Sequence, residues 1–125
     1  MTYAGRLLIG QRKNQPMLLS WQLPGGWLLY GDSPKQAVYR LLHNFDGVKY
    51  NEAELVSYTN NVFENGLHSV SLYFQMECLN AAEIDSQANQ DCSDWKWADW
   101  YDLPQPLFLP LKKLKQSSYT PFIQE

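Results

Sequence analysis

The sequence has no surplus of positive charge. It carries 10 lysine and arginine residues against 13 aspartate and glutamate residues, which gives a formal net charge of −3. Proteins that bind nucleic-acid duplexes gain most of their affinity from a basic surface that neutralises phosphate groups. The charge balance therefore argues against a protein that binds duplex DNA or RNA.

Cysteines and long apolar runs are also scarce. The two cysteines, Cys78 and Cys92, form no Cys-X-X-Cys pair. No stretch approaches the roughly 18 apolar residues of a membrane span. The apolar run at residues 7–9 is too short for the core of a signal peptide. We therefore expect a soluble, unexported protein in the reducing cytoplasm, without contact with a membrane.

What the chain does contain is ample apolar material. Of its 125 residues, 45% are hydrophobic and 14% are aromatic, including five tryptophans. This composition argues against disorder. The length is sufficient for one core but not for two, so we expect a single domain spanning residues 1–125.

Short apolar runs separated by turn residues predict a set of strands. The clearest pair is a hairpin, because Asn65-Gly66 joins two strand-like runs, and Asn-Gly is the strongest short-range hairpin signal. In the second strand of this hairpin, alternate residues from His68 to Cys78 share one face. The predicted strands are residues 6–11, 21–23, 55–63, 67–79 and 95–100, with a further extended segment at residues 27–30.

One helix is well specified by its sequence. Ser33 is a good N-cap, Pro34 suits the first helical position, and Gln36 completes a capping box. Asp46-Gly47 supplies a C-terminal stop. Between these limits the apolar residues recur at helical spacing: Ala37, Val38, Leu41, Leu42 and Phe45.

The C-terminal third contains a polar segment and a basic one. Residues 81–93 are polar and predict a surface loop, and residues 110–116 predict a short helix. The lysines of that helix, Lys112, Lys113 and Lys115, are typical of a solvated face, with phosphate binding as the alternative.

Residues 23–48 resemble a Nudix box from which most of the acids have been removed. The Nudix pattern is Gly, five residues, Glu, seven residues, and then Arg-Glu-aliphatic-any-Glu-Glu-any-Gly-aliphatic. Asp32 stands where the first Glu is expected, and Leu41, Asn44 and Phe45 replace the three Glu that follow the Arg. The positions that match are Gly26, Arg40, Leu42, Gly47 and Val48.

The resemblance extends over nearly the whole chain. RLLIGQRKN followed by WQLPGG looks like the strand and approach loop of MutT-type Nudix proteins. The tryptophan-rich C-terminal segment resembles the dimeric nucleotide-triphosphate diphosphatases that also accept thiopurine nucleotides. The resemblance implies an α/β fold, namely an α/β/α sandwich with a mixed sheet, and a homodimer.

The same comparison predicts an irregular N-terminus. Family members usually begin with a strand before the segment that matches RLLIGQRKN, and here only residues 1–5 stand in that place. We therefore expect the usual first strand to be missing, which would leave an open sheet edge. Either the natural chain starts earlier, or a partner or another segment covers that edge.

The resemblance also implies a magnesium-dependent site. Family members hold the cation with glutamates four residues apart on the helix, because such residues lie on one helix face. In this chain the pair is Leu41 and Phe45, which cannot bind a cation and are most simply core residues. We expect no metal site, with Asp32 and Arg40 as the remnants of the catalytic residues. Mg²⁺ is expected only if the chain is nevertheless an active hydrolase.

Substrate contacts are implied at five further positions. Gly25 and Gly26 form the tight turn of the box, and Trp27 follows them at the place that usually faces the substrate cleft. Its indole is expected either to stack on a base or to plug the cleft. In the subgroup, residues of the C-terminal helix line the base pocket, and these map to Leu109 and Leu111.

Three functions remain open at this point. The first is a degenerate Nudix-fold protein with weak or absent hydrolase activity that still binds a nucleotide-like ligand or a partner. The second is an active magnesium-dependent hydrolase that cleaves a nucleoside diphosphate linkage, either in a nucleoside triphosphate or in a nucleotide sugar. The third is a structural dimerisation module. Asp32→Asn is expected to slow an active enzyme and to leave a binding protein unaffected.

Overall fold

The computed structural model describes residues 1–80 and 92–122. Over these residues the chain forms strands and helices in the following order: β1 (Thr2–Tyr3), β2 (Arg6–Arg12), β3 (Trp21–Gln22), α1 (Pro34–Leu42), β4 (Glu54–Val62), β5 (His68–Gln75), β6 (Cys92–Ala98) and α2 (Leu109–Gln116). Within these ranges, no helix has the length and the apolar character that crossing a membrane requires.

The main sheet is built around β2. This strand pairs antiparallel with β6 along one edge, from Leu7 opposite Ala98 to Gln11 opposite Asp94. Its other edge is shared by β1 at one end and β3 at the other, both antiparallel. Isolated parallel bridges join Thr2 to Glu77 and Trp21 to Leu107, so the sheet is mixed. The continuous apolar run in β2 is typical of a strand that is covered on both faces.

Two cores lie on opposite faces of this sheet. Successive side chains of a strand point to opposite faces. Accordingly, Leu8 packs with Leu42 of α1, whereas Ile9 packs with Leu111 and Leu114 of α2. The order of layers is therefore α1, sheet, α2, which is the α/β/α arrangement predicted from the sequence.

The N-terminal segment corrects one prediction. Thr2–Tyr3 form a strand that pairs with β2, so the first strand is present, although it is only two residues long. The backbone of Thr2 also donates to the carbonyl of Met76 and accepts from the amide of Cys78, at 2.9 and 2.8 Å. This short segment thus joins the main sheet to the end of the hairpin, and its pairing covers part of the edge that was expected to be open.

The hairpin of β4 and β5 confirms the turn prediction. Val62 pairs with His68, and the amide of Phe63 donates to the carbonyl of Leu67 at 2.8 Å across the turn. Gly66 adopts a φ of 89°, a conformation that glycine tolerates without steric cost. A bulge between Leu55 and Ser57 interrupts the register near the start of β4.

Helix α1 begins as predicted and ends earlier. The amide of Gln36 donates to Ser33 Oγ at 3.2 Å, and the amide of Ser33 donates to Gln36 Oε1 at 2.9 Å, which completes the capping box. The helix ends at Leu42, and the amide of Phe45 then donates to the carbonyl three residues earlier. Phe45 therefore follows the helix instead of belonging to it. Asn44, Asp46 and Gly47 are weak helix formers, which explains the early end.

Two other predicted segments have different boundaries in the structure. Residues 27–30 form no strand, and they belong to the loop that connects β3 to α1. Of the loop predicted at residues 81–93, residues 81–91 lie outside the described part of the chain, and Cys92 already begins β6.

Candidate functional site

The loop at residues 23–33, which we call the box loop, leads from β3 into α1. Pro24-Gly25-Gly26 lies near its start, and both glycines are exposed. A Cβ atom added at Gly26 would lie 2.4 Å from Leu41 Cδ2. A larger residue at Gly26 would therefore displace the end of the Leu41 side chain, which packs directly against the backbone here.

Arg40 and Asp32 hold the box loop in place. Arg40 Nη2 donates to Asp32 Oδ2 and to the carbonyl of Trp27, both at 2.9 Å. Asp32 Oδ2 also accepts from the amide of Leu29 at 3.3 Å. Two of these contacts tie the helix to the loop and the third lies within the loop, so both residues have a structural role whether or not they act on a substrate.

Apolar side chains occupy the positions where the box has its metal-binding glutamates. Phe45 is only 5% exposed, and its ring meets that of Trp95 edge to face at a centroid distance of 5.0 Å. Trp95 in turn lies over Gly10, where an added Cβ would come within 2.6 Å of the indole. Leu41 is half-buried over Gly26. The expectation of core residues is confirmed for Phe45, which lies just beyond the helix, whereas Leu41 is half-buried against the Gly26 backbone and belongs to neither core cluster.

We compared the sequence with models of known protein families. The model of the NUDIX domain matches residues 2–122, which is nearly the whole chain. The chain belongs to the Nudix family. The residues of the box that match the family pattern are therefore features of the family. The residues that differ from the pattern are particular to this chain.

The chain is also similar to individual Nudix proteins in sequence and in structure. An RNA pyrophosphohydrolase of Francisella tularensis subsp. tularensis is 28% identical over 116 residues, covering 78% of this chain and 72% of the relative. The crystal structure of a MutT NUDIX hydrolase from Burkholderia pseudomallei has a TM-score of 0.74 at 24% identity, with 95% and 92% of the two chains covered. This last likeness establishes the fold alone.

A third relative was solved with a nucleotide. It is the NUDIX domain of Shewanella oneidensis NrtR, complexed with ADP ribose. Its TM-score to this chain is 0.63 at 28% identity, and the match covers 89% of this chain and 73% of that one. Among the Nudix proteins similar to this chain there are thus both hydrolases and a domain crystallised with a bound nucleotide.

The residues at the box do not fit the magnesium ion that the family implies. Magnesium prefers hard oxygen ligands in octahedral geometry. Leu41 and Phe45 offer no oxygen, and the carboxylate of Asp32 is engaged by Arg40 and the box loop. In the part of the chain that the structure describes, no group of three or more His, Cys, Asp or Glu residues could hold a metal ion.

The outer side of the box loop is apolar and solvent-exposed. Trp27 is 68% exposed, and the three residues after it are also exposed: Leu28, Leu29 and Tyr30. Its backbone is fixed by Arg40, whereas its indole is available for contact. The structure therefore leaves Trp27 where it can stack on a ligand, and its role in substrate contact stays a prediction.

The predicted pocket residues of α2 have different environments. Leu111 is 1% exposed and belongs to the core between α2 and the sheet, so it forms no part of an open wall. Leu109 is half-buried. The placement of Leu111 gives no support to a base-contact role, because residues of an amphipathic helix that face the sheet are used for packing.

Two of the three lysines of α2 donate hydrogen bonds to backbone carbonyls outside the helix. Lys113 Nζ donates to the carbonyl of Asn60. Lys115 Nζ donates to the carbonyl of Trp100 at 2.5 Å and lies 4.4 Å from the centre of that indole. Partial burial lowers the pKa of Lys115. These contacts favour the structural interpretation of the lysine run over phosphate binding.

The sequence analysis missed a row of polar side chains inside the hairpin. Asn61 is fully buried, accepts from Thr59, and donates to Ser69 and Ser71 at 3.2 and 2.9 Å. Tyr73 Oη contacts Thr59 Oγ1 at 2.7 Å and donates to the carbonyl of Pro110 at 2.9 Å. Burial raises the pKa of Tyr73. The alternating polar residues in the sequences of β4 and β5 could have predicted this buried polar row.

Proposed function

We propose that this Nudix protein binds a nucleotide with a diphosphate linkage, of the ADP-ribose class, and hydrolyses it weakly or not at all. The observation that carries the proposal is the packing of Leu41 and Phe45. Phe45 is buried against Trp95, and Leu41 packs on Gly26. Without the charge stabilisation of a metal, the rate is expected to fall by several orders of magnitude.

Two observations support ligand binding. One is the likeness to a NUDIX domain crystallised with ADP ribose. The other is the box loop itself, whose backbone is held by Arg40 and Asp32 while Trp27 remains exposed. A loop that is already ordered loses less conformational entropy on binding. An indole on such a loop is suited to stack on a nucleobase.

Thermal unfolding and calorimetry with ADP-ribose, ADP and AMP test the proposal. A ligand at about 100 times its dissociation constant should add about 2.7 kcal/mol to the stability. We expect Trp27→Ala to weaken binding about tenfold. Tyr101→Ala is the matched control, because Tyr101 is also exposed and aromatic but lies outside the box loop. Equal affinity in both variants would contradict a role for Trp27.

An active hydrolase is the second candidate. It is favoured by the RNA pyrophosphohydrolases, which are 28% identical to this chain. A screen of nucleoside triphosphates, dinucleotides, nucleotide sugars and RNA, each with Mg²⁺ or Mn²⁺, separates the two functions. Metal-dependent turnover on the order of 1 s⁻¹ or faster, as in ordinary enzymes, would establish this candidate in place of the first.

Asp32→Asn does not separate these candidates as expected from the sequence. Asp32 accepts hydrogen bonds from Arg40 and from the amide of Leu29. An amide at this position would weaken the pairing with Arg40 in a binding protein as well as in an enzyme. Dependence of the wild-type rate on metal is therefore the better discriminator.

A structural dimerisation module is the third candidate. It predicts that no nucleotide raises the melting temperature, although the protein forms a stable dimer. Under each of these candidate functions, three expectations from the sequence remain predictions: a single domain, a homodimer and a cytoplasmic location.

A further inference from the structure

The backbone of the box loop contains a run of amides that have no acceptor. The amide of Leu29 donates to Asp32. Within the described residues, however, the amides of residues 25–28 donate to no backbone or side-chain group. All of these residues are exposed. Because backbone N–H groups are strong donors that need a partner, this run is left for water or for a ligand.

Arg40 places further donors beside the same run. Its Nη2 atom donates to the carbonyl of Trp27 and to Asp32 Oδ2, both at 2.9 Å. In the part of the chain that the structure describes, Nη1 has no acceptor, and Nε is buried without one. The side chain is 40% exposed, so a ligand at the loop can reach the guanidinium. The clamp on the box loop therefore uses only one of the three guanidinium nitrogens.

The charges that remain at the box positions cancel. The family pattern has one arginine and four glutamates, and this surplus of acid repels a phosphate group unless a cation lies between them. At the same positions this chain has only Asp32 and Arg40, which form an ion pair. The exchange of three glutamates for uncharged residues thus removes the ligands of the cation. It also removes the repulsion that makes a cation necessary for phosphate binding.

We propose that the box loop binds the diphosphate of its ligand directly, without a divalent cation. The amides of residues 25–28 and Nη1 of Arg40 donate to the phosphate oxygens, which form strong hydrogen bonds with such donors. Only the carbonyl of Leu23 lies near the place that a Cβ would take at Gly25, at 3.9 Å, so the backbone is open to close approach there. This inference rests on the function proposed above, because it concerns the same ligand at the same loop.

Calorimetric titration of the full chain with ADP-ribose, in EDTA and again with Mg²⁺, tests the inference. The affinity in EDTA should equal or exceed the affinity with Mg²⁺, because Mg²⁺ in solution competes for the same phosphate oxygens. Adenosine, which has no phosphate, should bind at least about tenfold more weakly than ADP-ribose in EDTA. If EDTA weakens ADP-ribose binding by about tenfold or more, a cation is required and the inference is wrong.

The two ligands separate this inference from the nucleotide binding on which it rests. If ADP-ribose binds no more tightly than adenosine, the loop still holds a nucleoside, but it makes no contact with the diphosphate. If ADP-ribose binds only with Mg²⁺, nucleotide binding stands and the cation-free contact is wrong. If neither ligand binds under either condition, the proposed function fails as well.

Leu41→Glu returns one acid to the loop, and Leu41→Gln is its matched control. The side chain of Leu41 packs on the backbone of Gly26, so a carboxylate at this position would lie beside the amide donors. In EDTA, Leu41→Glu should bind ADP-ribose at least about tenfold more weakly than Leu41→Gln, whereas both should bind adenosine equally. Equal affinity of the two variants for ADP-ribose would contradict the inference. Thermal unfolding checks that both variants are folded.

The amide resonances of the wild type report on the individual donors. In EDTA, ADP-ribose should move the amide protons of residues 25–28 further downfield than adenosine does, because only ADP-ribose brings phosphate oxygens to them. The amide of Gly66 is the control, since it already donates to the carbonyl of Phe63 at 3.0 Å in the hairpin turn. Resonances of residues 25–28 that respond equally to both ligands at saturation would overturn the assignment of these donors.

Discussion

The box region and the β4–β5 hairpin distribute polarity in opposite ways. At the box, where Nudix enzymes expose carboxylates, this chain buries Phe45 and packs Leu41 on Gly26. In the hairpin, polar residues such as Asn61 lie inside, and apolar residues such as Val70 lie outside. The fold tolerates both arrangements because each buried group has a suitable partner, hydrocarbon in one case and hydrogen bonds in the other.

The comparison shows where a change of polarity alters function. At the box, the exchange of acids for apolar residues removes ligands for a cation and leaves the scaffold intact. In the hairpin, the outward apolar residues leave an exposed apolar surface. The box therefore lacks the glutamate pair typical of the family, whereas the hairpin presents an exposed apolar surface.

The largest effect is expected when acids are returned to the box. Leu41→Glu combined with Phe45→Glu should lower the free energy of unfolding by at least about 3–5 kcal/mol, because a charge would replace the ring that packs against Trp95. Denaturant unfolding measures the loss. We expect no magnesium-dependent turnover, since Phe45 follows the end of α1 and the two residues no longer lie on one helical face.

Asn44→Glu is the control for that experiment. Asn44 is exposed, so this substitution should change the stability by no more than about 0.5 kcal/mol. If the double variant stays folded and hydrolyses nucleotides with Mg²⁺, the site was lost through its side chains alone and the backbone difference at Phe45 is unimportant.

The hairpin should show an intermediate effect when its inner row is broken. Asn61→Ala removes the partner of Thr59, Ser69 and Ser71 in a buried position. We expect a loss of about 1–3 kcal/mol in denaturant unfolding, the cost of leaving buried polar groups unpaired. Asn60→Ala, on the exposed face, should cost less than about 0.5 kcal/mol. Equal losses at the two positions would show that the inward network does not orient the hairpin.

The smallest effect concerns alkaline pH. Burial raises the pKa of Tyr73, and it raises the pKa of Tyr119 from 10.0 to about 12. Between about pH 10 and 12 Tyr119 loses its proton in the unfolded chain and keeps it in the folded chain, so stability should fall as pH rises through this window, and the raised pKa of Tyr73 acts in the same direction. Tyr119 also donates to Gln75 Oε1 at the end of the hairpin.

Melting temperatures between pH 8 and 11.5 measure this slope. Tyr119→Phe should flatten it, because phenylalanine has no proton to lose. Tyr101→Phe serves as the control, because Tyr101 is exposed. A slope that is the same in both variants would show that the phenol of Tyr119 is not responsible.

Features encoded over a few residues could be predicted from the sequence. Ser33 and Gln36 specify the start of α1, and Asn65-Gly66 specifies the hairpin turn, because each acts on backbone groups close by in the chain. The loss of the metal-binding acids was equally visible, since a leucine or a phenylalanine cannot bind a cation in any fold.

Features that depend on contacts with residues distant in the chain could not be predicted from the sequence. Thr2–Tyr3 is too short to produce a pattern, and it forms a strand because β2 and the end of the hairpin supply hydrogen bonds. Leu111 resembled a pocket residue by its position in the chain, but the packing of α2 on the sheet buries it.

The sequence by itself determined the family, the capped helix and the absence of the glutamate pair, because these follow from residue identity and local spacing. Only the tertiary structure decided that Phe45 leaves the helix to pack on Trp95, and that Arg40 and Asp32 clamp the box loop. It also decided which face of the hairpin is covered. Alternation along a strand separates two faces, but only the elements packed on the strand determine which of them meets water.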